Sequence, residues 1–418
     1  MSTFDKLLHG VEVEWKAIWE VTTWDKRFNA VDNFKQPKTV KYYHLLANEI
    51  KPLILEKGNV KLLTTNETNF WTSEELAGSR ISNGEVVAIP WGGNVVVQYY
   101  KGKFLTGDNR IAISNDTNYL NTKYLYYYLK SNLELLGSFY RGAGIKHPSM
   151  SKVLDVIIPI PPIKIQKEIV RILDTFTELT TELTTELTDR KKQYIFYREQ
   201  LFSFDEMEIE RKTLKEIGEF QRGKRFVKDD IISEGVPCIH YGEMYTHYGT
   251  WTNESKSFLS EELVERKNLR IAENSDVVIV AAGETIEDIG LGTAWLGDEG
   301  VVIHDACFSF RSPLNPKYVA YFTRTKQFHD QIKKHISSGK ISAINAIGLE
   351  KVLIPIPSPE EQERIVSILD KFDILTISIS EGLPKEIELR EKQYEYYRDI
   401  LLTFPKHNIE SYYGTVIN

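Results

Sequence analysis

Cysteine is nearly absent from this sequence: Cys238 and Cys307 are the only two in 418 residues. A disulfide framework is thereby excluded, and a reducing compartment is expected. Long apolar runs are missing as well. The longest, such as Val277–Ala282, reach about a third of the ~20 residues that a membrane-crossing helix needs. The opening MSTFDKLLHGVEVEW lacks a basic start followed by an apolar core, so no secretion signal is expected and the chain is placed in the cytoplasm. Nor is there an excess of positive charge, since 52 Lys+Arg stand against 59 Asp+Glu, a net −7. A sequence-blind nucleic-acid binder would need a cationic surface. The balance still leaves room for cations gathered locally or supplied by a partner.

Signatures of catalysis are missing too. Gly102-Lys103, Gly223-Lys224 and Gly339-Lys340 lack the flanking residues of a GxxxxGK[ST] phosphate loop, and no GxGxxG occurs. There is no NPPY-like tetrad of the kind an amino-methyltransferase uses to grip its target base. Glu254-Ser255-Lys256 has the end of a nuclease triad without the upstream Pro-Asp. His240 lies near Cys238, and His304 three residues before Cys307, but these are not zinc-site spacings; buried structural thiols and histidines are the commoner origin, and no metal is expected. The chain reads as non-catalytic.

What the chain does contain is apolar material, 42% hydrophobic and 11% aromatic, and a long internal repeat. Ile158-Pro159-Ile160-Pro161 recurs as Ile354-Pro355-Ile356-Pro357. Gln166, Ile169-Val170, Ile172-Leu173-Asp174 and Phe176 recur at the same spacing as Gln362, Ile365-Val366, Ile368-Leu369-Asp370 and Phe372. Further on, Lys192-Gln193-Tyr194, Tyr197-Arg198, Leu201 and Phe204 return as Lys392-Gln393-Tyr394, Tyr397-Arg398, Leu401 and Phe404. A fainter echo ahead of them pairs Lys26-Arg27-Phe28 with Lys224-Arg225-Phe226. The chain therefore divides into a variable block (1–157), a repeated block (158–204), a second variable block (205–353), a second repeated block (354–404) and a polar tail (405–418). Two like halves commonly pack about a pseudo-two-fold axis.

Each repeated block reads as a long helix after an extended, proline-rich lead-in. Apolar residues at Ile169, Ile172, Leu173, Phe176, Leu179, Leu183 and Leu187 fall in steps of three and four, one helical stripe. Thr177–Thr188 is three copies of Thr-Glu-Leu-Thr, whose period is close to one turn, so its leucines stack on one face. Some 40 residues at ~1.5 Å each give a rod of roughly 60 Å. The second block has the same pattern through Ile365, Ile368, Leu369, Phe372 and Leu375, but Gly382 and Pro384 interrupt it, marking a kink or a restarted helix. A lone rod cannot bury such a stripe; two can, as an antiparallel pair with Leu173, Phe176, Leu179, Leu183, Leu187, Leu369, Phe372 and Leu375 as its core.

The variable blocks look like α/β domains. Strands are expected at Glu85–Pro90, Asn94–Tyr100 and Arg110–Ser114, and at Ser275–Ala281, Val301–Ile303 and Phe308–Arg311; helices at Thr122–Leu136 and Pro316–Ile336. Each block ends in a loop whose glycines, cations and small polar residues suit close approach to a phosphate or a base edge, as readily as they suit a plain surface turn. Candidates there are Arg141, Lys146 and Ser149 in the first, and Lys340, Ser342 and Asn345 in the second, with Lys26 and Arg27 upstream. Charge is uneven: residues 10–157 hold 18 Lys+Arg and 15 Asp+Glu (18 − 15 = +3), and residues 205–353 hold 19 and 24 (19 − 24 = −5). Any cationic surface in the second block must be a patch. Arg222, Lys224, Arg225 and Lys228, followed by Tyr241, Tyr245, Tyr248 and Trp251, form one candidate, since basic residues with interleaved aromatics suit a groove-reading surface.

On Ile158–Phe176, the TELT tandem, Arg190-Lys191-Lys192-Gln193-Tyr194 and Arg390-Glu391-Lys392-Gln393-Tyr394-Glu395-Tyr396-Tyr397-Arg398, the sequence resembles the specificity subunit of type I restriction-modification enzymes over essentially its whole length. Gln221-Arg222-Gly223-Lys224-Arg225-Phe226 and Gly283-Glu284-Thr285 look like motifs of that family's target recognition domains. The resemblance implies an α/β (α+β) chain with two globular target recognition domains held apart by an antiparallel pair of long helices. Each domain reads one half of a split, asymmetric site on double-stranded DNA. The helical regions dock two modification (methyltransferase) subunits that use S-adenosylmethionine, and two restriction (translocase/nuclease) subunits act with ATP and Mg²⁺. This chain itself holds no cofactor, no metal and no membrane segment. The rival reading is a coiled-coil scaffold whose two α/β domains bind proteins, which the −7 charge suits slightly better.

Overall fold

The computed structural model describes residues 7–204, 209–337, 339, 341–378 and 381–405. The candidate Lys340 and most of the tail lie outside the described residues. The described residues form two compact units. One takes the chain up to Thr181 together with the stretch from Leu389 onward, and the other takes Glu182–Glu388.

In the first unit, β1 (Glu14–Ala17), β2 (Thr22–Trp24), β3 (Val60–Leu63), β4 (Trp71–Thr72), β5 (Ser82–Pro90), β6 (Gln98–Thr106) and β7 (Asn109–Ser114) are succeeded by the short strands β8 (Tyr140–Arg141), β9 (His147–Pro148) and β10 (Ile157–Ile160). Six of them make a sheet ordered β2-β7-β5-β6-β3-β4, antiparallel except for β3 beside β6. Strand β5 shows why it is central. Val87 and Ile89 enter one apolar cluster, Val86 and Ala88 enter another, and the period-2 alternation gives each face of the sheet its own core. Helices α1 (Thr122–Ser131), α2 (Leu133–Ser138) and α3 (Met150–Leu154) complete the domain. The single helix expected over Thr122–Leu136 is two, because the Asn132 carboxamide donates to the Tyr128 carbonyl (2.7 Å) and competes with the helical ladder. Strand β6 starts four residues later than expected, beyond the Gly92-Gly93 turn.

The second unit repeats the plan with two sheets. β11 (Arg211–Thr213), β12 (Glu219–Arg222), β13 (Val236–Ile239), β14 (Trp251–Thr252), β15 (Ser257–Leu259), β16 (Ile271–Ala272), β17 (Val277–Val280), β18 (Ala282–Gly283), β19 (Gly292–Trp295), β20 (Val301–Ile303), β21 (Cys307–Arg311), β22 (Ser342–Ala343) and β23 (Leu353–Pro355) arrange as β12-β21-β17-β19-β14 and β15-β13-β20-β16, with β18 paired to β22. Strand β17 alternates like β5: Val277 and Ile279 face one core, Val278 and Val280 the other. The helix expected over Pro316–Ile336 again divides, because Thr323 bonds back to the Ala320 carbonyl and Thr325 caps a new start with its hydroxyl.

The long helix of the first repeated block, α4, runs unbroken over Ile163–Leu201. Threonines in its TELT tandem donate to the carbonyl four residues back, as Thr177 does to Leu173 and Thr188 to Thr184, so their hydroxyls are satisfied inside the helix. In the second unit, α5 (Pro316–Phe322), α6 (Lys326–Ile332) and α7 (Ala346–Glu350) precede α8 (Pro359–Thr376); α9 (Gly382–Leu402) follows, its residues from Leu389 onward belonging to the first unit. Proline sits in the first turn of α9, as a restarted helix allows. Gly382 has φ +74°, and a Cβ there would lie 2.2 Å from the Ile374 carbonyl oxygen, so only glycine fits. The proline-rich lead-ins are strands: β10 pairs with β1, and β23 with β11.

Segments of the long helices pack together inside each unit. In the first, Phe176 stacks on Tyr397 with ring centroids 5.5 Å apart; in the second, Phe372 meets Tyr194 and Tyr197 at 5.9 and 5.6 Å. Leu173 and Leu369 are fully buried, whereas Leu179, Leu183, Leu187 and Leu375 are half-buried. The stripe is thus true core beside the globular domains and a thinner seam elsewhere.

A matched lock joins each domain to its helix. Asp174 accepts from Lys123 Nζ (2.7 Å) and Tyr127 (2.6 Å), and Asp370 accepts from Lys317 Nζ (2.8 Å) and Tyr321 (2.7 Å). Gln166 accepts from the Asn121 amide and Gln362 from the Asn315 amide; Tyr124 and Tyr318 donate to the carbonyls of Pro159 and Pro355. Burial first, then the neighbouring carboxylates, push the Tyr127 and Tyr321 phenols far above the ordinary range, so both stay donors. Truncating the Asp370 carboxylate strands Lys317 and leaves the Tyr321 phenol with Asp373 alone, 2.9 Å away, which costs about 1–3 kcal/mol. Asp370→Ala should therefore strip hydrogen-exchange protection from the Pro316–Phe322 amides by that amount while leaving Thr122–Ser131 protected; wild-type protection in α5 would show that the lock is dispensable.

Candidate nucleic-acid interface

The second unit carries a cleft of about 670 Å³ beside the turn between β20 and β21. Glycine makes it possible. A Cβ on Gly223 would lie 2.2 Å from the His304 carbonyl oxygen, so this backbone can pass the turn only as glycine, and the preceding Arg222 is carried to the rim. Arg222 Nε donates to the Asp305 carbonyl (3.0 Å), and Arg222, Arg225 and Lys228 line the cleft with Glu284 and Asp305. Three cations face two carboxylates, a local reversal of the block's net −5 (19 − 24).

The floor is aromatic. His240 and His304 approach to 4.8 Å between ring centroids, with Tyr241 5.2 Å and Phe226 5.1 Å from His304. His304 is fixed by two bonds. One of its ring nitrogens, Nε2, lies 3.0 Å from the Phe226 carbonyl, and the other, Nδ1, accepts from the Ala306 amide, which sets the proton on Nε2. His240 Nδ1 likewise accepts from the Gly242 amide. Burial lowers the pKa of both histidines, against the opposing pull of Asp305 and Glu243, so both are neutral at pH 7. Burial pushes the Cys238 and Cys307 thiols up to about 12, leaving them inert packing groups. Among the described residues no group of three His, Cys, Asp or Glu side chains is placed to hold a metal.

The candidates named from sequence divide by place. Arg222, Arg225 and Tyr241 line the cleft. Lys224 turns elsewhere, half-buried with Nζ at 3.5 Å from the Lys267 carbonyl. Tyr245 lies beneath Gly283, where a Cβ would come within 2.8 Å of its hydroxyl. Ser342 is buried in β22, and Asn345 spends its carboxamide oxygen capping α7. In the first unit, Arg141 and Lys146 are exposed on the β8–β9 hairpin, Ser149 sits at the N-cap position of α3, Arg27 is exposed and Lys26 half-buried. That hairpin is tied to the Trp91-Gly92-Gly93 loop by Gly93 N to the Lys146 carbonyl and by His147 Nδ1, 2.6 Å from the Trp91 carbonyl. Arg110 stacks on Trp91 at 3.8 Å. The second unit uses the same tie, β18 with β22 and Ile344 N to the Ala281 carbonyl.

Sequence reasoning did not find His240 and His304 as cleft residues, having weighed them as metal ligands or, more commonly, buried structural groups, nor Trp91, Arg110 and His147. The lock was also unnoticed, although it was written in the chain: Asn121-Thr122-Lys123-Tyr124 with Tyr127 returns as Asn315-Pro316-Lys317-Tyr318 with Tyr321.

Duplicated α/β units, each presenting a glycine-bearing loop with cations and aromatics and each clamped to a long helix, define a two-module nucleic-acid reader. The sequence model for the type I restriction modification DNA specificity domain matches residues 35–190 and 206–389, and the chain belongs to that family: it is a non-catalytic, sequence-specific DNA-recognition and scaffolding subunit. It is 36% identical to the Type I restriction enzyme EcoR124I/EcoR124II specificity subunit of Escherichia coli, over 97% of this chain and 98% of that one. A putative type I restriction enzyme specificity subunit of Haemophilus influenzae is 32% identical over 96% and 98%. The crystal structure of a type I restriction-modification S subunit from M. genitalium shares the fold, with a TM-score of 0.58 at 18% identity over 97% of this chain and 100% of that one.

The lowered histidine pKa values carry a stability consequence. A histidine held neutral in the fold supports stability fully above its unfolded pKa of ~6.5 and withdraws that support as pH falls toward the folded value. Hydrogen-exchange protection of β20 should therefore decline below about pH 6.5, and His304→Asn should flatten that decline; an unchanged slope would put the titration elsewhere.

Proposed function

We propose that each unit reads one half of a bipartite, asymmetric duplex site and that the long helices set the gap between the halves. The observation that carries this is the duplicated loop geometry: in each unit a glycine-bearing loop is tied to the end of the domain's central strand. In this reading Lys26, Arg27, Arg141, Lys146, Arg222 and Arg225 supply phosphate and base contacts, with arginine to guanine the pairing to expect. Lys224, Tyr245, Ser342 and Asn345 shape the loops. Neither unit has cation enough to clamp a duplex alone, so further positive surface comes from partners.

Those partners are two modification subunits, which use S-adenosylmethionine to methylate adenine, and two restriction subunits working with ATP and Mg²⁺. Phe196 and Tyr396, 57% and 63% exposed, are the same position in the two repeated blocks, and a duplicated apolar position suits two copies of one partner.

One TELT unit adds four residues, about 6 Å, and rotates the helix beyond it by only ~40°. On a duplex rising ~3.4 Å per base pair, that is at most roughly two base pairs. Deleting Thr181–Thr184 should keep both half-sites and shorten the gap in a genome-wide methylation map; an intact gap would refute the helices as its determinant. Exchanging residues 205–353 for another member's block should change one half-site only, and a change in both would end the one-unit, one-half assignment.

A further inference from the structure

Two isoleucines stand exposed where each unit's loop reaches furthest from its core. Ile145 is 69% exposed, the most open of the large apolar side chains described, and Ile341 is 63% exposed. They are equivalent positions. Each lies four residues before the N-cap of a short helix, Ser149 of α3 and Asn345 of α7. Each belongs to a loop tied to the end of the central strand: Ile145 lies between β8 and β9, and Ile341 immediately precedes β22, which pairs with β18. Each also has a glycine beside it. A Cβ on Gly92 would stand 2.9 Å from Ile145 Cγ2, and Gly283 lines the cleft together with Ile341.

A single exposed isoleucine needs no explanation. The same residue at the same place in two domains whose loops otherwise differ does. Packing does not account for it, since neither side chain belongs to an apolar cluster of its unit. The surroundings say what covers it. Arg141 and Lys146 flank Ile145, and Arg222, Arg225 and Lys228 line the cleft with Ile341. Even against Glu284 and Asp305 in that cleft, cations are in excess, and an apolar tip among them does not suit a hydrophobic protein surface, which would leave those cations desolvated and unpaired. It suits a polyanion that carries apolar groups inside its charged walls. In duplex DNA the apolar feature of a groove edge is the C5-methyl group of thymine, in the major groove.

We propose that Ile145 and Ile341 are specificity-determining residues that each seat against a thymine methyl group in their half-site, while the neighbouring arginines and lysines hold the backbone. This rests on the half-site reading above. The phosphate contacts would set affinity and its salt dependence, and the isoleucines would add discrimination without charge.

The test uses the full chain in complex with its modification subunits, the cognate duplex, and a random duplex of equal length. Ile145→Ala and Ile341→Ala should each weaken cognate binding by roughly 5- to 20-fold, within the range of losing one base-pair contact. Binding to the random duplex and the slope of log affinity against log salt should stay as in wild type, which also shows that the variant is folded. With every thymine of the affected half-site replaced by deoxyuridine, which removes only the methyl group, wild type should lose the same factor and the variant nothing more. Unchanged cognate affinity, or an equal fall on both duplexes, would overturn the assignment. So would fully additive losses, which would place the side chain between bases as a wedge or on another group. If wild type does not prefer the cognate duplex at all, the half-site reading fails instead.

Discussion

One carboxylate per half holds this molecule to its plan. Asp174 and Asp370 each take a lysine and a tyrosine from a helix of the globular domain, α1 or α5, and the same lysines lie against aromatic rings, Lys123 over Tyr99 at 5.2 Å and Lys317 over Trp251 at 3.9 Å. Each lock sits beside buried apolar residues of its long helix, Ile169 and Leu173 in one unit and Ile365 and Leu369 in the other. An ion pair at an open surface is worth little. Here it is half-buried and joined by a phenol, a glutamine and an aromatic face, so one change leaves several groups unsatisfied. Direction in a reader matters as much as affinity, and a multidentate joint fixes direction.

Much of this was legible in the chain. The repeat placed both long helices, the proline-rich lead-ins announced their strands, and Gly382 with Pro384 marked the restart of the second rod. The cleft was half legible. Arg222, Arg225 and Tyr241 could be named because charge and aromaticity are local properties. His240 and His304 could not, because the parallel pairing of β13 with β20 brings them together across more than sixty residues. Sequence spacing also cannot separate a polar residue that faces solvent from one that caps a helix or lies buried in a strand, as the Asn345 carboxamide oxygen and Ser342 do. The expected single helices broke at Asn132 and Thr323 for the same reason: a short polar side chain offered the backbone another partner.

Net charge misleads when taken over a whole chain. The acid of the second block is spread over helix faces and turns, as in the exposed Glu261 and Glu262 of a surface helix, whereas Arg222, Arg225 and Lys228 outnumber the carboxylates at the cleft. The same contrast between average and local composition holds along α4, whose TELT tandem is polar by count and still helical, since its threonines bond back to the preceding turn and its leucines keep one face.

Because both domains carry the same fastening, the fastening is indifferent to what is fastened. Between one Asn-Xaa-Lys-Tyr-Xaa-Xaa-Tyr element and the next long helix, very little chain has to be inherited unchanged. Genetic exchange that carries the element along can deliver a foreign reading surface already fitted with its own plug. Diversity in such a lineage would then arise by trading whole cartridges, and only rarely by the slow accumulation of point changes in a groove.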